Sequence, residues 1–142
     1  RENRLIEYAS YVENYYGTPK EYVQQQLENG KDVILEIEIQ GALKIKKQFP
    51  DTLLLFMVPP SASVLEERLR GRGTETDEVV RKRLHRAVEE AEFIEQYDYL
   101  IVNDDLETCV KETHEIIQSQ HHRVDQRRQF IDTLKEDLKR FL

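Results

Sequence analysis

Apolar and polar residues follow two rhythms along this chain, and the rhythm changes several times. Residues 33–39 (VILEIEI) alternate, with one leucine and two isoleucines on one face and two glutamates on the other, which is the pattern of a strand. Residues 52–58 (TLLLFMV) are apolar without alternation, as in a strand that is covered on both faces of a parallel sheet. A third β-rich run occupies residues 98–103 (DYLIVN). These three runs predict the strands of a buried sheet.

Between these runs, apolar residues recur every three or four positions, which predicts amphipathic helices. Residues 5–12 (LIEYASYV) are typical of one or two short strands, and NYYGTP at 14–19 has the composition of a turn. Thr18, Pro19 and Glu21 form a capping box with proline at the first helical position. The predicted helices cover residues 19–29, 42–49, 61 or 63 to 71 or 73, 77–96 (with Thr76 as N-cap), 106–121 and 124–142.

Strands that alternate with helices predict an α/β fold with a parallel sheet. In such sheets, ligands bind beyond the carboxyl ends of the strands. Each predicted strand here ends in polar residues or in a helix-capping segment: Glu36, Glu38 and Gln40 at the first, Pro60 and Ser61 at the second, and Asn103, Asp104 and Asp105 at the third. We therefore expect a ligand site at this edge of the sheet.

Composition excludes several classes of protein. The chain has 142 residues, the length of one ordinary domain, and a net charge of −7, which argues against general nucleic-acid binding. No apolar run approaches the roughly 20 residues that span a bilayer, so we expect no membrane anchor. Cys109 is the only cysteine, which excludes an internal disulfide and favours the reducing cytoplasm. The last predicted helix carries an apolar stripe that packs either on the core or on a second subunit, so a homo-oligomer stays open.

Basic residues concentrate in the middle of the chain. Seven Lys or Arg stand against three acids between Arg68 and Arg86, an excess of +4 within an acidic protein. We interpret four of the seven as ordinary surface charges: Arg70, Arg81, Lys82 and Arg86. Arg72 differs because it lies between two glycines in a predicted loop, where a planar guanidinium can close on phosphate oxygens.

Candidate acids are less distinctive. Glu36 and Glu38 share a face near a strand end. They are either polar residues that cap the strand or carboxylates that bind a nucleotide's base amine or Mg²⁺-bound water. Glu7 is either an exposed strand residue or a carboxylate that accepts both N–H groups of a guanine edge, which adenine lacks. The four histidines have no metal-ligand spacing, so we predict no protein-held metal.

Five blocks, in this order and at this spacing, resemble guanylate kinase of the bacterial type. They are EYASYVENYYGT, DVILEIEIQGA, FMVPPS, ERLRGRGTET and YDYLIVNDD, and together they cover residues 5 to about 120. The resemblance implies a P-loop nucleoside-monophosphate-kinase-like fold: a three-layer α/β/α parallel-sheet core, a small GMP-binding domain and a lid. It divides the chain into residues 1–30 (remainder of the GMP-binding domain), 31–62 with 87–142 (core) and 63–86 (lid).

The resemblance also implies the reaction ATP + GMP ⇌ ADP + GDP with Mg²⁺, on GMP or dGMP. Matching motif positions assign Arg68, Arg72 and Arg83 to catalysis, with Arg68 and Arg72 closing on the ATP phosphates and Arg83 bridging the two substrates. Asn103 and Asp104 fall on the adenine side of ATP. The residues that correspond to the GMP site are Glu7, Tyr16, Thr18, Glu36, Glu38 and Gly41.

One family element is missing from the sequence. No G-x-x-x-x-G-K-[ST] P-loop occurs, although the family uses this loop to hold the ATP phosphates. We expect the P-loop segment to precede residue 1, and we predict that the 142 residues alone are inactive and poorly stable. The alternative is a non-catalytic guanylate-kinase-like domain that binds a protein partner, which the retained GRGTET and VND blocks disfavour.

Overall fold

The structure is a computed structural model that describes the backbone of residues 5–11 and 14–142 and the side chains from residue 21 onward. The described strands are β1 (Leu5–Tyr11), β2 (Asn14–Pro19), β3 (Leu55–Val58) and β4 (Tyr99–Val102). The described α-helices are α1 (Lys20–Glu28), α2 (Ile39–Gln48), α3 (Ala62–Gly71), α4 (Asp77–Ala91), α5 (Leu106–Gln120) and α6 (Arg128–Leu138). Short 3₁₀ turns lie at Ile94–Gln96, Val124–Gln126 and Lys139–Phe141.

Strands β3 and β4 are hydrogen-bonded neighbours in one sheet. The N–H of Tyr99 donates to the carbonyl of Leu54, and the N–H of Asn103 donates to the carbonyl of Val58. Both pairs are separated by the same number of residues (99 − 54 = 103 − 58 = 45), so the strands run parallel. This pairing, with α3 and α4 between its strands, confirms the predicted α/β class.

The segment NYYGTP is a strand and not the predicted turn. Strand β2 pairs antiparallel with β1, with Ala9 opposite Tyr16 and Tyr8 opposite Gly17. Tyrosine and threonine favour extended backbone, and the cross-strand pairing outweighs the turn preference of glycine and proline. Helix α1 accordingly begins at Lys20, directly after the strand.

The prediction of a strand at residues 33–39 was also wrong. No described strand pairs with residues 31–38, and α2 begins at Ile39. The alternation itself is present, because Val33, Leu35 and Ile37 are half-buried whereas Ile34 is 74% exposed. Alternation of apolar and polar residues indicates which side chains are buried. A strand also needs a neighbouring strand for its backbone hydrogen bonds.

The predicted N-cap Thr76 is confirmed, and of the two starts predicted for the preceding helix, residues 61 and 63, the structure has Ser61 as the N-cap. The Ser61 hydroxyl accepts a hydrogen bond from the Val64 N–H at 3.2 Å, and the Thr76 hydroxyl accepts one from the Val79 N–H at 3.3 Å. Such caps satisfy backbone donors that the first turn of a helix leaves unpaired. Helix α4 ends at Ala91, five residues earlier than predicted (96 − 91), because the chain continues into a turn and then a 3₁₀ turn.

The chain divides into two compact units. One contains the residues up to Phe56 together with Thr74–Leu100, and its core is built around Val23 and Ile45, with Val33, Leu35, Ile37 and Phe49 packed against them. The other contains Met57–Gly73 and Ile101–Leu142, where Leu69, Ile101 and Cys109 are buried. The predicted lid, residues 63–86, has residues in both units.

Helix α6 and the 3₁₀ turn that follows it carry the predicted apolar stripe. Phe130, Leu134, Leu138 and Phe141 are each between 45% and 72% exposed. The guanidinium groups of Arg127 and Arg140 stack over the rings of Phe130 and Phe141 at 5.3 Å and 4.9 Å. Whether this stripe packs on the core or on a second subunit stays a prediction. Of the helices in the described part, none combines the length and the apolar character needed to cross a membrane.

Candidate functional site

Helix α3 brings Arg68 to the carboxyl end of β4. Arg68 lies in the last turn of the helix that Ser61 caps. Its Nη1 donates to the carbonyl of Asn103 at 2.7 Å, and its Nη2 lies 3.3 Å from the carbonyl of Asp104. The structure therefore joins the predicted phosphate arginine to both residues predicted on the adenine side. These contacts use two of the five guanidinium donors, and among the described residues no acceptor is bonded to the other three.

Arg72 lies at the end of the same helix and has a different environment. It is the C-cap of α3, it is exposed, and it is followed by Gly73 with a φ of +64°. A left-handed glycine directly after the C-cap lets the chain leave the helix sharply. Within the part of the chain that the structure describes, no acceptor is bonded to the Arg72 guanidinium. Its fork is thus exposed and available, as a phosphate contact requires.

Asp105 anchors the segment that follows β4. Its Oδ2 accepts hydrogen bonds from the N–H and the hydroxyl of Thr108, at 3.0 Å and 2.8 Å, and so caps α5. These hydrogen bonds hold the pKa of the Asp105 carboxyl below its ordinary value. The cap fixes the backbone immediately after Asn103 and Asp104, whose carbonyls contact Arg68.

Arg83 lies in the other unit, on α4, and pairs with an acid that the sequence interpretation overlooked. Its Nη2 is 2.8 Å from Oε1 of Glu75, which belongs to the loop before the helix. The Glu75 side chain is only 19% exposed, although most acids in this chain are on the surface. The one available signal was the position of Glu75 inside the GRGTET block.

Glu38 and Arg86 form a second ion pair in that unit, between residues far apart in sequence. Glu38 occupies the N-cap position of α2, but its carboxylate makes no hydrogen bond to its own helix. Instead, Arg86 Nη2 lies 2.7 Å from Glu38 Oε2. Arg86 is a surface charge as predicted, 57% exposed and 3.8 Å from Glu90 on its own helix, but it also bonds across 48 residues of sequence (86 − 38). Glu36 is exposed two residues before Glu38, and Gly41 is buried in the first turn of α2.

The other three basic residues assigned to the surface are confirmed there. Arg70, Arg81 and Lys82 are exposed and pair with acids four positions earlier in their helices, namely Glu66, Asp77 and Glu78. Pairs of this kind contribute a few tenths of a kcal/mol, about 0.3–0.5, and carry no sign of a ligand site.

Three predicted GMP residues are described only through their backbone. Glu7 lies on β1, and Tyr16 and Thr18 lie on β2. The register shifts between Leu5, which faces Pro19, and Tyr8, which faces Gly17, so that Ile6 and Glu7 together oppose Thr18. Bulges of this kind often redirect side chains at functional sites. The side chains of Glu7, Tyr16 and Thr18, and hence their predicted roles, lie outside the described residues.

The candidate residues thus divide between the two units. Arg68, Arg72, Asn103 and Asp104 belong to one, and Arg83, Glu36, Glu38 and Gly41, with the backbone of Glu7, Tyr16 and Thr18, belong to the other. Among the described residues, no group of three or more His, Cys, Asp or Glu is arranged to hold a metal ion.

A family model and two relatives of similar sequence carry the same name, guanylate kinase. The family model for guanylate kinase matches residues 1–120. The chain is 48% identical over 125 residues to guanylate kinase of Streptococcus thermophilus (strain CNRZ 1066), covering 88% of this chain and 60% of that protein. It is 49% identical over 117 residues to guanylate kinase of Halalkalibacterium halodurans, covering 82% and 57%.

A solved structure supports the same relationship. The crystal structure of guanylate kinase from Anaplasma phagocytophilum superimposes with a TM-score of 0.67 at 29% identity, covering 86% of this chain and 58% of that one. The 142 residues therefore span about three-fifths of the length of the proteins they match. Sequence and fold agree over most of the chain, and the chain belongs to the guanylate kinase family.

Proposed function

We propose that the full-length gene product containing these residues is a guanylate kinase. It transfers the γ-phosphoryl group of ATP to GMP or dGMP, in the purine nucleotide metabolism of the cytoplasm. The observation that carries this proposal is the contact of Arg68 with the carbonyls of Asn103 and Asp104, because it joins an arginine proposed to bind phosphate to two residues proposed for the adenine side. The membership of the family supports the same activity.

The arginines supply most of the proposed chemistry. Phosphoryl transfer depends on positioning and on neutralising charge that spreads over the phosphate oxygens, and less on acid–base groups. Arg72, exposed beside Gly73, closes on the ATP phosphates as the lid moves. Arg83, whose side chain is 51% exposed despite its bond to Glu75, stabilises the group in transfer.

The proposed GMP site uses the remaining residues. Glu7 reads the guanine edge, with the hydroxyl of Thr18 on the base and that of Tyr16 on the phosphate. The register that sets Glu7 and Thr18 at the same bulge supports their joint role. Glu36 contacts the guanine amino group, and Glu38 and Gly41 complete this wall of the site at the start of α2.

Mg²⁺ enters the proposal with ATP. This ion binds through one or two carboxylates together with phosphate oxygens and keeps several of its waters, so it needs no cage of protein ligands. When bound with ATP, it would supply positive charge that offsets the negative charge of the phosphate groups. The described residues would contribute the arginines proposed above for phosphate contacts.

A coupled ADP-release assay on the full-length gene product tests the proposal. We expect turnover with ATP and GMP, and turnover lower by a factor on the order of 10⁴ with AMP, since a site built for the guanine edge leaves buried polar groups unpaired when adenine enters. The 142 residues alone, which contain no P-loop motif, should release no ADP. Equal rates with GMP and AMP would contradict the guanine assignment.

The same assay separates the kinase from a binding module. A full-length product that binds GMP but releases no ADP under any condition would favour a non-catalytic guanylate-kinase-like domain. The exposed Arg72 and the placement of Arg68 beside Asn103 favour the enzyme, because a module that only binds peptides has no need of either.

A further inference from the structure

One buried side-chain polar atom in the described part of the chain lacks a hydrogen-bond partner, and it belongs to Glu75. Its Oε2 is buried and unbonded, while its Oε1 lies 2.8 Å from Arg83 Nη2. Acids are rarely withdrawn from water without a compensating cation. The burial of Glu75 therefore depends on Arg83, the one partner that the described residues give this carboxylate.

The pair differs from its neighbours on the same helix. Asp77 with Arg81, and Glu78 with Lys82, are i,i+4 pairs whose side chains are between 57% and 80% exposed. Glu75 instead precedes the N-cap Thr76 and reaches eight positions forward (83 − 75), about two helical turns along α4. An acid in a loop that folds back along a helix to one arginine restricts that arginine in a way that a surface pair does not.

We propose that Glu75 is a positioning residue for Arg83. This inference rests on the proposed function, in which Arg83 stabilises the phosphoryl group in transfer. One guanidinium nitrogen is held by Glu75, and the donors that remain sit on a side chain that is still half exposed. Because the fork is planar and rigid, fixing one corner fixes the direction in which the other donors point.

The pairing would preorganise the Arg83 guanidinium before the substrates bind. An arginine that is already oriented loses less conformational freedom when the phosphates arrive, and its charge needs no rearrangement during the reaction. The effect should therefore fall on kcat more than on the Michaelis constants. A purely structural role for Glu75 would instead lower stability and leave the effect independent of Arg83.

A double-mutant cycle in the full-length gene product tests this dependence. Glu75→Gln keeps the shape of the side chain and removes its charge, and we expect kcat to fall by about tenfold with both Michaelis constants within about threefold. In the Arg83→Ala background the same substitution should change kcat by less than about twofold. Glu78→Gln, which removes an exposed pair on the same helix, is the matched control and should leave kcat unchanged.

Two outcomes of the cycle overturn the proposal: an unchanged kcat in Glu75→Gln, or an equal loss with and without Arg83. Should Glu75→Gln fail to fold, Glu75→Asp keeps the charge with a shorter reach, and its loss of kcat must likewise vanish when Arg83 is absent. An Arg83→Ala variant with full kcat would contradict both this proposal and the role given to Arg83 in the proposed function.

A measurement independent of activity separates the pairing from the reaction. In protein labelled with ¹⁵N-arginine, the guanidinium resonances that Arg83→Lys removes should shift in Glu75→Gln and not in Glu78→Gln. If they do not shift in Glu75→Gln, the pairing is wrong whatever the enzyme does. If they shift but the full-length product forms no GDP, the pairing stands and the proposed function fails.

Discussion

Arg68 combines an anchoring contact with a proposed role at the ATP phosphates, and substitution can separate the two. Its guanidinium bridges the carbonyls of Asn103 and Asp104 at 2.7 Å and 3.3 Å. Arg68→Ala removes both hydrogen bonds and the charge. Arg68→Lys keeps the charge, but a single ammonium cannot reproduce the planar fork, so at most the shorter contact survives.

The structure sets the size of the stability effect. Hydrogen bonds from a charged donor are worth about 1.5–3 kcal/mol when solvent is excluded, but these two are exposed and water can replace Arg68 at both carbonyls. We therefore take about 0.5 kcal/mol for each bond, or about 1 kcal/mol for Arg68→Ala. For a protein of this size that lowers the melting temperature by roughly 2–4 °C. Arg68→Lys should lose about half of that.

Activity should respond more strongly than stability. If Arg68 also contacts the ATP phosphates, Arg68→Ala lowers kcat by about a hundredfold, because one preorganised cationic donor is lost from the transition state. Arg81→Ala, which removes an exposed i,i+4 pair with Asp77, is the control for removing an arginine and should change neither quantity. Differential scanning calorimetry and the coupled assay on the same full-length preparations supply both numbers.

The two numbers together decide the role of Arg68. A lower melting temperature with unchanged kcat would make Arg68 an anchor for β4 and exclude it from catalysis. A melting temperature within about 1 °C of the wild type would contradict the bridging contact as the structure describes it.

Three further predictions concern the neighbourhood of this contact. Arg72→Ala should lower kcat by at least about tenfold and leave the affinity for GMP, measured by calorimetry, unchanged; an unaltered kcat would remove Arg72 from the mechanism. Ile101 is 1% exposed, so Ile101→Ala should cost about 2–5 kcal/mol in urea unfolding and Ile101→Val about 0.5–1.5; equal costs would contradict its tight packing. The hydrogen bonds to Thr108 lower the pKa of Asp105 in the folded protein. The ionised Asp105 therefore stabilises the folded state fully at a pH above its ordinary pKa of 3.8, and this contribution is lost as the pH falls through the lower folded-state pKa. Asp105→Asn should therefore flatten the acid side of the stability profile, and an unaltered profile would contradict this origin of the shift.

Local features of the fold could be predicted from the sequence. The cap at Thr76 was predictable, and the cap at Ser61 was predictable as one of two candidates, because an N-cap hydroxyl accepts from the N–H three residues later in its own helix. The bounds of α2 and α5 also agree within a few residues with the predicted helices. These signals involve neighbours in sequence, so no tertiary information is needed to read them.

Long-range pairing was not predictable in the same way. Residues 33–39 have the alternation of a strand, but only the fold determines whether a neighbouring strand exists, and none of those described lies there. The turn preference of Gly17 and Pro19 was overridden by pairing with β1 for the same reason. Arg86 bonds to Glu38, 48 residues earlier, and Glu75 bonds to Arg83 at a spacing of eight, which is not one of the i,i+3 or i,i+4 spacings that predict a helical pair.

The candidate site was likewise predictable only in part. The resemblance to guanylate kinases grouped Arg68, Asn103 and Asp104 on one side of the site, and the structure brings these residues into contact. It assigned Arg83 without assigning Glu75, although Glu75 lies inside the matching GRGTET block and pairs with Arg83 in the structure.

The most direct measurement of the central claim follows the transferred phosphoryl group itself. The full-length gene product is incubated with Mg²⁺, GMP and ATP labelled with ³²P at the γ-position, and the nucleotides are separated by chromatography. We predict that the label appears in GDP, in amounts equal to the ADP formed. Label that appears in inorganic phosphate, or that stays in ATP while GMP is bound, would contradict the assignment of this protein as a guanylate kinase.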